Sequence, residues 1–186
     1  MKEILFVTGG CRSGKSRFAL SFADHGFERK VFLATCQPQD EEMQQRINQH
    51  QKARGPEWQT VETPTALPGA VTSHKGKADV ILIDCLTLWT SNLLLQGASQ
   101  ENILTRGNAL TKAIHDVSCS VIIVSNEVGA GVVPENRLAR TFRDVAGLLN
   151  QKVAACADIV VWMVAGIPVP IKGRLMKDRM AYYSSY

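Results

Sequence analysis

A glycine-rich stretch near the start of the chain has the residue types that bind nucleotide phosphates. It fits the pattern G-x-x-x-x-G-K-S/T and lies between an apolar run and a helical segment. Glycines let backbone N–H groups wrap around phosphate oxygens, and the N-terminus of the following helix adds a favourable dipole. The predicted nucleotide contacts of this phosphate loop are Gly9, Gly10, Cys11, Arg12, Ser13, Gly14, Lys15 and Ser16. The motif predicts nucleotide binding and leaves the reaction open.

A nucleotide site of this kind also needs side chains that hold magnesium and the terminal phosphates. The Ser16 hydroxyl can ligate Mg²⁺, and Lys15 can reach the terminal phosphates. Asp84 ends the apolar run VILID, where its carboxylate would support the metal; N-capping of the following turn is the alternative. Glu127 follows the apolar run VIIVSN, and there the sequence favours an acid–base role and structural capping equally.

A basic helix face carries a histidine that could attack a phosphoryl group. Residues 40–54 are polar and rich in helix-forming types, and they predict a helix with Asp40 as its N-cap. Arg46, His50 and Arg54 recur every four residues and would share one face. The two positive charges favour the neutral, nucleophilic imidazole, and arginines bind phosphate oxygens bidentately. A solvated polar face fits the same spacing.

The elements that must position these residues alternate along the chain. Apolar runs predict strands, and amphipathic segments between them predict helices, so we expect an α/β fold with a mostly parallel β-sheet flanked by helices. The predicted strands are 3–8, 30–35, 57–63, 78–89, 119–131 and 158–171, the last with a proline-broken extension. The predicted helices are 15–24, 40–54, 65–78, 99–117 and 136–157. We expect one domain over residues 1–172 and a C-terminal tail over 173–186.

Composition excludes several classes of protein. The chain has 186 residues and a formal net charge of +4, and its basic residues are scattered, which gives no support for nucleic-acid binding. No apolar stretch approaches the roughly 18–20 residues of a membrane span, and no signal peptide is evident. Five cysteines without CxxC spacing predict reduced thiols in a cytoplasmic protein.

Four segments together make a more specific pattern than the phosphate loop alone. These are TGGCRSGKSRFA, RINQHQKARGPEWQTVETP, DCLTLWTSNLL and VSNEVGAGVVPENRLARTFRDVAGLLNQKVAACAD. The combination resembles the bifunctional adenosylcobinamide kinase/adenosylcobinamide-phosphate guanylyltransferase family of cobalamin biosynthesis, from about residue 3 to residue 172. The resemblance implies a RecA-like phosphate-loop NTPase fold. It also implies phosphorylation of adenosylcobinamide by ATP or GTP, followed by GMP transfer from GTP.

The resemblance also implies roles for particular residues. His50 would carry GMP covalently, and the assembly would be a homotrimer that uses Mg²⁺. Beyond the phosphate loop, the implied nucleotide contacts are Thr35, Cys36, Gln37, Gln51, Lys52, Ala53, Arg54, Glu62 and Asp84. We infer in addition that the Glu62 carboxylate accepts hydrogen bonds from the guanine N1–H and amino group, which adenine cannot offer in that arrangement.

Three other functions use some of the same residues. A monofunctional guanylyltransferase would need the histidine motif and would lack the kinase acceptor geometry. A regulatory ATPase or GTPase switch would need only the phosphate loop and a partner. A nucleic-acid-dependent ATPase would show salt-dependent DNA affinity.

Overall fold

Alternating strands and helices place the phosphate loop after the first strand. The structure is a computed structural model that describes residues 2–37, 41 and 54–175. Its elements are β1 (Ile4–Gly9), α1 (Lys15–Asp24), β2 (Lys30–Ala34), β3 (Trp58–Glu62), α2 (Leu67–Ser73), β4 (Val80–Asp84), α3 (Leu86–Leu95), α4 (Gln100–Asp116), β5 (Ser120–Asn126), α5 (Arg137–Cys156), β6 (Ile159–Val164) and β7 (Ile167–Lys172). Most of the predicted helix 40–54 and of the predicted tail lies outside the described residues.

The strands form one sheet in which β1 is near the centre. Their order across the sheet is β3-β2-β4-β5-β1-β6-β7. Every neighbouring pair from β3 to β6 is parallel, and β7 alone pairs antiparallel, with β6. The carboxyl ends of the parallel strands therefore meet at one edge, where ligands bind in open α/β sheets. The mostly parallel sheet predicted from the apolar runs is confirmed.

Two apolar clusters cover the two faces of the sheet. Phe18 and Phe22 of α1 pack with one set of alternating strand residues, among them Phe32. On the opposite face, Trp89 of α3 and Leu149 of α5 pack with the other set, together with residues of α2 and α4. Because side chains alternate across a strand, runs that are apolar throughout supply both clusters. Four of the predicted flanking helices, 15–24, 65–78, 99–117 and 136–157, are confirmed as α1, α2, α4 and α5.

The apolar run 78–89 is not one strand, as the sequence predicted. β4 ends at Asp84, and α3 begins at Leu86. Cys85 is the N-cap of this helix, and its Sγ accepts a hydrogen bond from the Leu88 N–H at 3.4 Å. Leu86, Trp89 and Leu93 in α3 have helical spacing and are buried. A short apolar run fits a strand or a buried helix equally well, so periodicity cannot separate the two.

The C-terminal extension predicted to be broken by prolines is an edge strand. Pro168 and Pro170 lie in β7, which has a free side because it is last in the sheet order. Proline cannot donate a ladder hydrogen bond, and an edge strand tolerates this. Ala165 and Gly166 join β6 to β7 with φ of 49° and 85°, the left-handed values of a two-residue hairpin turn. Among the described residues, no helix is long and apolar enough to cross a membrane.

Candidate functional site

The carboxyl ends of β1 to β5 bring the predicted site residues to one edge. Ala34 of β2 pairs in register with Glu62 on one side and with Asp84 on the other. In its own strand, each of the three lies an even number of residues after a member of the apolar cluster that packs against α1. Because side chains alternate across a strand, all three lie on the face of the sheet that α1 covers. The small Ala34 side chain leaves space between the two carboxylates. α1 and the phosphate loop lie on this same face.

Glycine is required at two positions of the phosphate loop. Gly9 has a φ of 150°, and a Cβ there would lie 2.5 Å from the Met163 carbonyl oxygen and 2.9 Å from Ser13 Oγ. Gly14 has a φ of 92° and is the N-cap of α1, without a side-chain cap. The first N–H groups of the helix therefore point into the loop without a capping oxygen, as an anion-binding turn needs.

Lys15 lies inside the loop that its backbone forms. Its Nζ donates to the Gly10 carbonyl oxygen at 2.6 Å and to Ser13 Oγ at 3.4 Å. Burial lowers the pKa of Lys15, and the nearby Cys85 and Asp84 oppose this effect in part. The ammonium therefore lacks full compensation for its lost hydration, and an anionic ligand would supply it.

Thr35 ties the end of β2 to the end of β4 beside Asp84. Its hydroxyl accepts a hydrogen bond from the Cys85 N–H and donates one to the Cys85 carbonyl, both at 2.8 Å. Its own N–H donates to the Asp84 carbonyl at 3.2 Å, and Asn92 Nδ2 donates to the Thr35 carbonyl at 2.8 Å. Thr35 is fully buried. Every polar group of Thr35 is thus used within the protein and fixes the backbone that carries Asp84.

Asp84 is a strand residue that faces the loop side of the sheet. The N-cap of α3 is Cys85, so the alternative in which Asp84 caps the next turn is not the arrangement observed. Burial raises the pKa of Cys85 to about 12, and the adjacent Asp84 carboxylate contributes in the same direction. Burial and the same carboxylate also raise the pKa of Cys36. Both shifts favour the neutral thiol at these two positions beside Asp84.

Arg54 reaches the same face from the start of the segment before β3. Its guanidinium carbon lies 3.8 Å from the centroid of the Phe32 ring. Its Nε is buried and has no hydrogen-bond partner among the described residues. Burial lowers the pKa of Arg54, and the Asp84 charge opposes this shift. The structure therefore places one predicted phosphate-binding arginine near the predicted metal-side carboxylate.

Other predicted site residues lie outside the described part of the chain or at exposed positions. His50, Gln51, Lys52 and Ala53 lie outside the described residues, as does Arg46. Gln37 and Glu62 are exposed at the ends of their segments. Among the described residues, no hydrogen bond or ion pair links Gln37 to Glu62.

Glu127 holds a turn beside the phosphate loop. Its Oε1 accepts a hydrogen bond from the Gly129 N–H at 2.7 Å, and its own N–H donates to the Gly9 carbonyl at 2.9 Å. Arg143 Nη2 donates to the Gly129 carbonyl at 2.9 Å and secures the same turn. The observed contacts are those of structural capping, one of the two roles that the sequence favoured.

Three polar residues around the end of β5 lie within the segments that carry the family resemblance, but the sequence did not predict them as site residues. The Asn126 N–H donates to Thr87 Oγ1 at 2.6 Å, and the Asn126 carbonyl accepts from Asn150 Nδ2 at 3.1 Å. The signal that identified Asp84, a polar residue at the end of an apolar run, is also present at Asn126. The partners Thr87 and Asn150 are distant in the chain and have no such signal.

The sheet and its loop define a phosphate-loop protein with a RecA-like fold. β1 leads through the glycine loop into α1, and the acidic β4 end lies two strands away across β5. The fold is similar to that in a crystal structure of the RadB recombinase, with a TM-score of 0.56 over 93% of this chain and 82% of that chain. Sequence identity between the two is 11%, so this likeness concerns the fold alone.

Sequence comparison identifies the family within this class. Residues 5–171 match the family model described as cobinamide kinase / cobinamide phosphate guanyltransferase, and the chain belongs to this family. It is 41% identical over 167 residues to the bifunctional adenosylcobalamin biosynthesis protein CobP of Pseudomonas aeruginosa, covering 90% of this chain and 96% of that protein. It is 40% identical over 181 residues to the bifunctional adenosylcobalamin biosynthesis protein CobU of Salmonella typhimurium, covering 91% and 99%. The family resemblance predicted from the four segments is confirmed.

Proposed function

We propose that this chain phosphorylates adenosylcobinamide with ATP or GTP and then transfers GMP from GTP to the new phosphate, giving adenosylcobinamide-GDP. The observation that carries this proposal is the family match over residues 5–171, which spans a phosphate loop folded around Lys15. In the kinase step, the acceptor hydroxyl oxygen bonds to the γ-phosphorus, its proton is released, and the bond to the departing nucleoside diphosphate breaks. Lys15 and the loop N–H groups stabilise the charge on the phosphates.

Ser16 and Asp84 are the residues that would hold Mg²⁺. Ser16 lies in the first turn of α1, and Asp84 lies on the face that α1 covers. Mg²⁺ keeps several water ligands and takes phosphate oxygens, so one hydroxyl and one carboxylate suit it. When bound, the ion neutralises charge on the phosphates.

His50 would carry the GMP between the two halves of the transfer. Its imidazole nitrogen would bond to the α-phosphorus as the bond to pyrophosphate breaks, and the phosphate of adenosylcobinamide phosphate would then displace it. Arg54 supports this proposal, because it lies near Asp84 and its buried Nε has no hydrogen-bond partner among the described residues, so it is open to a phosphate oxygen. Two sequential displacements conserve the energy of the phosphoanhydride bond in a phosphorus–nitrogen bond.

Glu62 would select guanine. Glu62 is exposed at the end of β3 and lies on the same face of the sheet as Asp84. In the register of the sheet, Ala34 of β2 lies between these two residues. A carboxylate accepts from the guanine N1–H and amino group together, and adenine presents no such pair of donors. Glu62→Gln is expected to lower the preference for GTP over ATP in the transferase step by about 10-fold. An unchanged preference would remove Glu62 from this role.

The assembly and setting follow from the same proposal. We propose that residues 1–172 form one domain and that the chain assembles as a homotrimer in the cytoplasm. Val132 is 94% exposed, and Trp162, Ile167 and Ile171 are 45%, 64% and 61% exposed, which suits subunit contacts. All five cysteines are free, which suits a reducing compartment.

Product analysis tests the two reactions separately. The chain is incubated with adenosylcobinamide and ATP and then with GTP, and products are identified by chromatography and mass spectrometry. We expect adenosylcobinamide phosphate first and adenosylcobinamide-GDP after GTP is added. His50→Ala should retain the first product and lose the second, and Lys15→Met should lose both.

A binding measurement tests the phosphate loop independently of the corrinoid. Cys11 is exposed in the loop, so a maleimide reagent should modify it. Saturating GTP with Mg²⁺ should slow this reaction by about 10-fold or more, because bound phosphates cover the loop. Protection absent at every nucleotide concentration would contradict nucleotide binding at this loop. Nucleotide protection without any corrinoid product, together with partner-stimulated hydrolysis, would favour the regulatory switch.

A further inference from the structure

Asn126 ends the strand that separates the phosphate loop from Asp84. β5 lies between β1 and β4, and Asn126 pairs in register with Gly9. Asp84 pairs with Val124, two residues earlier on β5. From the spacing of strands and the rise along them, the Asn126 and Asp84 Cα atoms are about 8 Å apart. Asn126 therefore lies beside both the start of the phosphate loop and Asp84, the proposed metal-binding carboxylate.

The Asn126 side chain faces the nucleotide side of the sheet. Ile122 and Val124 of β5 belong to the cluster packed against α1, and Asn126 follows them with the same two-residue period. The intervening Ser125 lies on the opposite face, where its hydroxyl is 3.1 Å from Thr87 Oγ1. The Asn126 carboxamide is therefore on the face that holds Lys15 and Asp84.

The backbone of Asn126 is fixed while its side chain is unused. Thr87 accepts from its N–H, and Asn150 donates to its carbonyl. Within the part of the chain that the structure describes, the half-buried carboxamide makes no hydrogen bond. The side chain of Asn92, by contrast, is used within the protein, because its buried Nδ2 donates to the carbonyls of both Thr35 and Pro64. Fixing a backbone and leaving its carboxamide open is what a ligand-contacting residue requires.

We propose that Asn126 donates a hydrogen bond to the terminal phosphoryl group of the bound nucleoside triphosphate and thereby distinguishes triphosphate from diphosphate. This inference rests on the proposed binding of nucleotide at the phosphate loop. The Nδ2 group offers two N–H donors and carries no charge, so it contacts phosphate oxygens without repelling a cation held by Asp84.

The contact would serve both proposed reactions without taking part in bond making. In the kinase step the terminal phosphoryl group moves to the acceptor, the contact to the nucleotide is lost, and the diphosphate is released more readily. In the GMP transfer the same group belongs to the departing pyrophosphate, which Asn126 would help to orient. Asn126 exchanges no proton and forms no covalent bond in either step.

Two variants and one matched control test this role. Asn126→Ala removes the donor, and Asn126→Asp keeps the shape and adds a negative charge. Asn102→Ala removes an exposed asparagine from α4, which packs on the opposite face. Calorimetry gives Kd for GDP and for the non-hydrolysable β,γ-imido analogue of GTP, both with Mg²⁺, and circular dichroism confirms folding.

The ratio of the two dissociation constants is the decisive quantity. Losing one hydrogen bond to a charged group should weaken binding of the imido analogue by about 10-fold in Asn126→Ala and leave GDP within about two-fold. Asn126→Asp should weaken the analogue further, and Asn102→Ala should match wild type. An unchanged ratio, or equal weakening of both nucleotides, would overturn the inference. Failure of the wild type to bind either nucleotide would instead contradict the proposed function. If Asn126→Ala does not fold, the isosteric Asn126→Asp decides the result.

Discussion

The Thr35 hydroxyl joins the ends of β2 and β4 beside Asp84, so Thr35→Val probes how the fold positions the site. The hydroxyl makes two hydrogen bonds of 2.8 Å with the Cys85 backbone. Valine keeps the branched shape of threonine and replaces the hydroxyl with a methyl group, so no large cavity is created. The substitution therefore isolates the hydrogen bonds from the packing.

The expected cost follows from the two lost bonds. The Cys85 N–H becomes a buried donor without an acceptor, at about 1–3 kcal/mol, and the bond to the Cys85 carbonyl contributes about 1 kcal/mol more. The free energy of unfolding should fall by roughly 2–4 kcal/mol in total. For a chain of this size that is a drop in Tm of roughly 5–15 °C.

Thr63 provides a matched control for the same substitution. It is 5% exposed, and its hydroxyl is buried without a hydrogen-bond partner among the described residues. Thr63→Val removes an unsatisfied group, so it should leave Tm unchanged or raise it by a few degrees. Two buried threonines near one another in the fold are thus expected to respond in opposite directions.

Urea unfolding and nucleotide calorimetry measure the two consequences. Thr35→Val should shift the urea midpoint downward, and it should weaken GTP binding more with Mg²⁺ than without, because Asp84 is less firmly held. A loss below about 0.5 kcal/mol together with unchanged Mg²⁺-dependent affinity would refute the reasoning. So would equal destabilisation by Thr63→Val, since packing rather than hydrogen bonding would then decide the effect.

Three further outcomes follow from the described contacts. Lys15→Met should reduce kinase activity at least 100-fold and leave Tm of the nucleotide-free protein equal or higher, because burial disfavours the Lys15 charge; activity and thermal unfolding are measured together. Gly107→Ala should lower stability by about 1 kcal/mol in urea unfolding, since the overlap of its Cβ with the buried Leu149 Cδ2 costs about 1–3 kcal/mol and replacing a helical glycine returns about 1 kcal/mol. Hydrogen bonding from Arg29 lowers the pKa of Asp79. The pairing therefore stabilises the fold above the ordinary aspartate pKa of about 3.9, and this stabilisation is lost as the pH falls through the lower pKa of the folded state. Asp79→Asn should remove this part of the acid dependence of unfolding.

The phosphate loop could be predicted from the sequence because its chemistry is local. The glycines, Lys15 and Ser16 lie within eight consecutive residues, between a recognisable strand and helix. The conformational demand on Gly9 and Gly14, seen as φ of 150° and 92°, is the physical basis of the motif. Asp84 could be predicted for a similar reason, since it ends an apolar strand.

Contacts between distant segments could not be predicted in the same way. The Thr35–Cys85 bonds join residues 50 positions apart, and no local pattern in either segment signals them. The start of α3 depends on Cys85 as N-cap, an uncommon residue for that position, so the run 78–89 was wrongly predicted as one strand. β7 contains two prolines, which argue against a strand until its place at the sheet edge is known.

The same limit explains why Asn126 escaped prediction. Its position between the loop and Asp84 depends on strand order, and β5 lies between β1 and β4 although it follows both in the chain. Sequence patterns predict the strands themselves, but they do not give the order in which the strands pair. Asn126 becomes a candidate only when that order and the contacts of Thr87 and Asn150 are known.

Covalent labelling with α-³²P-labelled GTP tests the central claim most directly. We predict an acid-labile protein adduct in the wild type, its disappearance in His50→Ala, and its retention in His115→Ala, whose side chain is 81% exposed. Adding adenosylcobinamide phosphate should discharge the label into adenosylcobinamide-GDP. Formation of that product by the wild type without any adduct, or undiminished labelling of His50→Ala, would contradict transfer of GMP through His50.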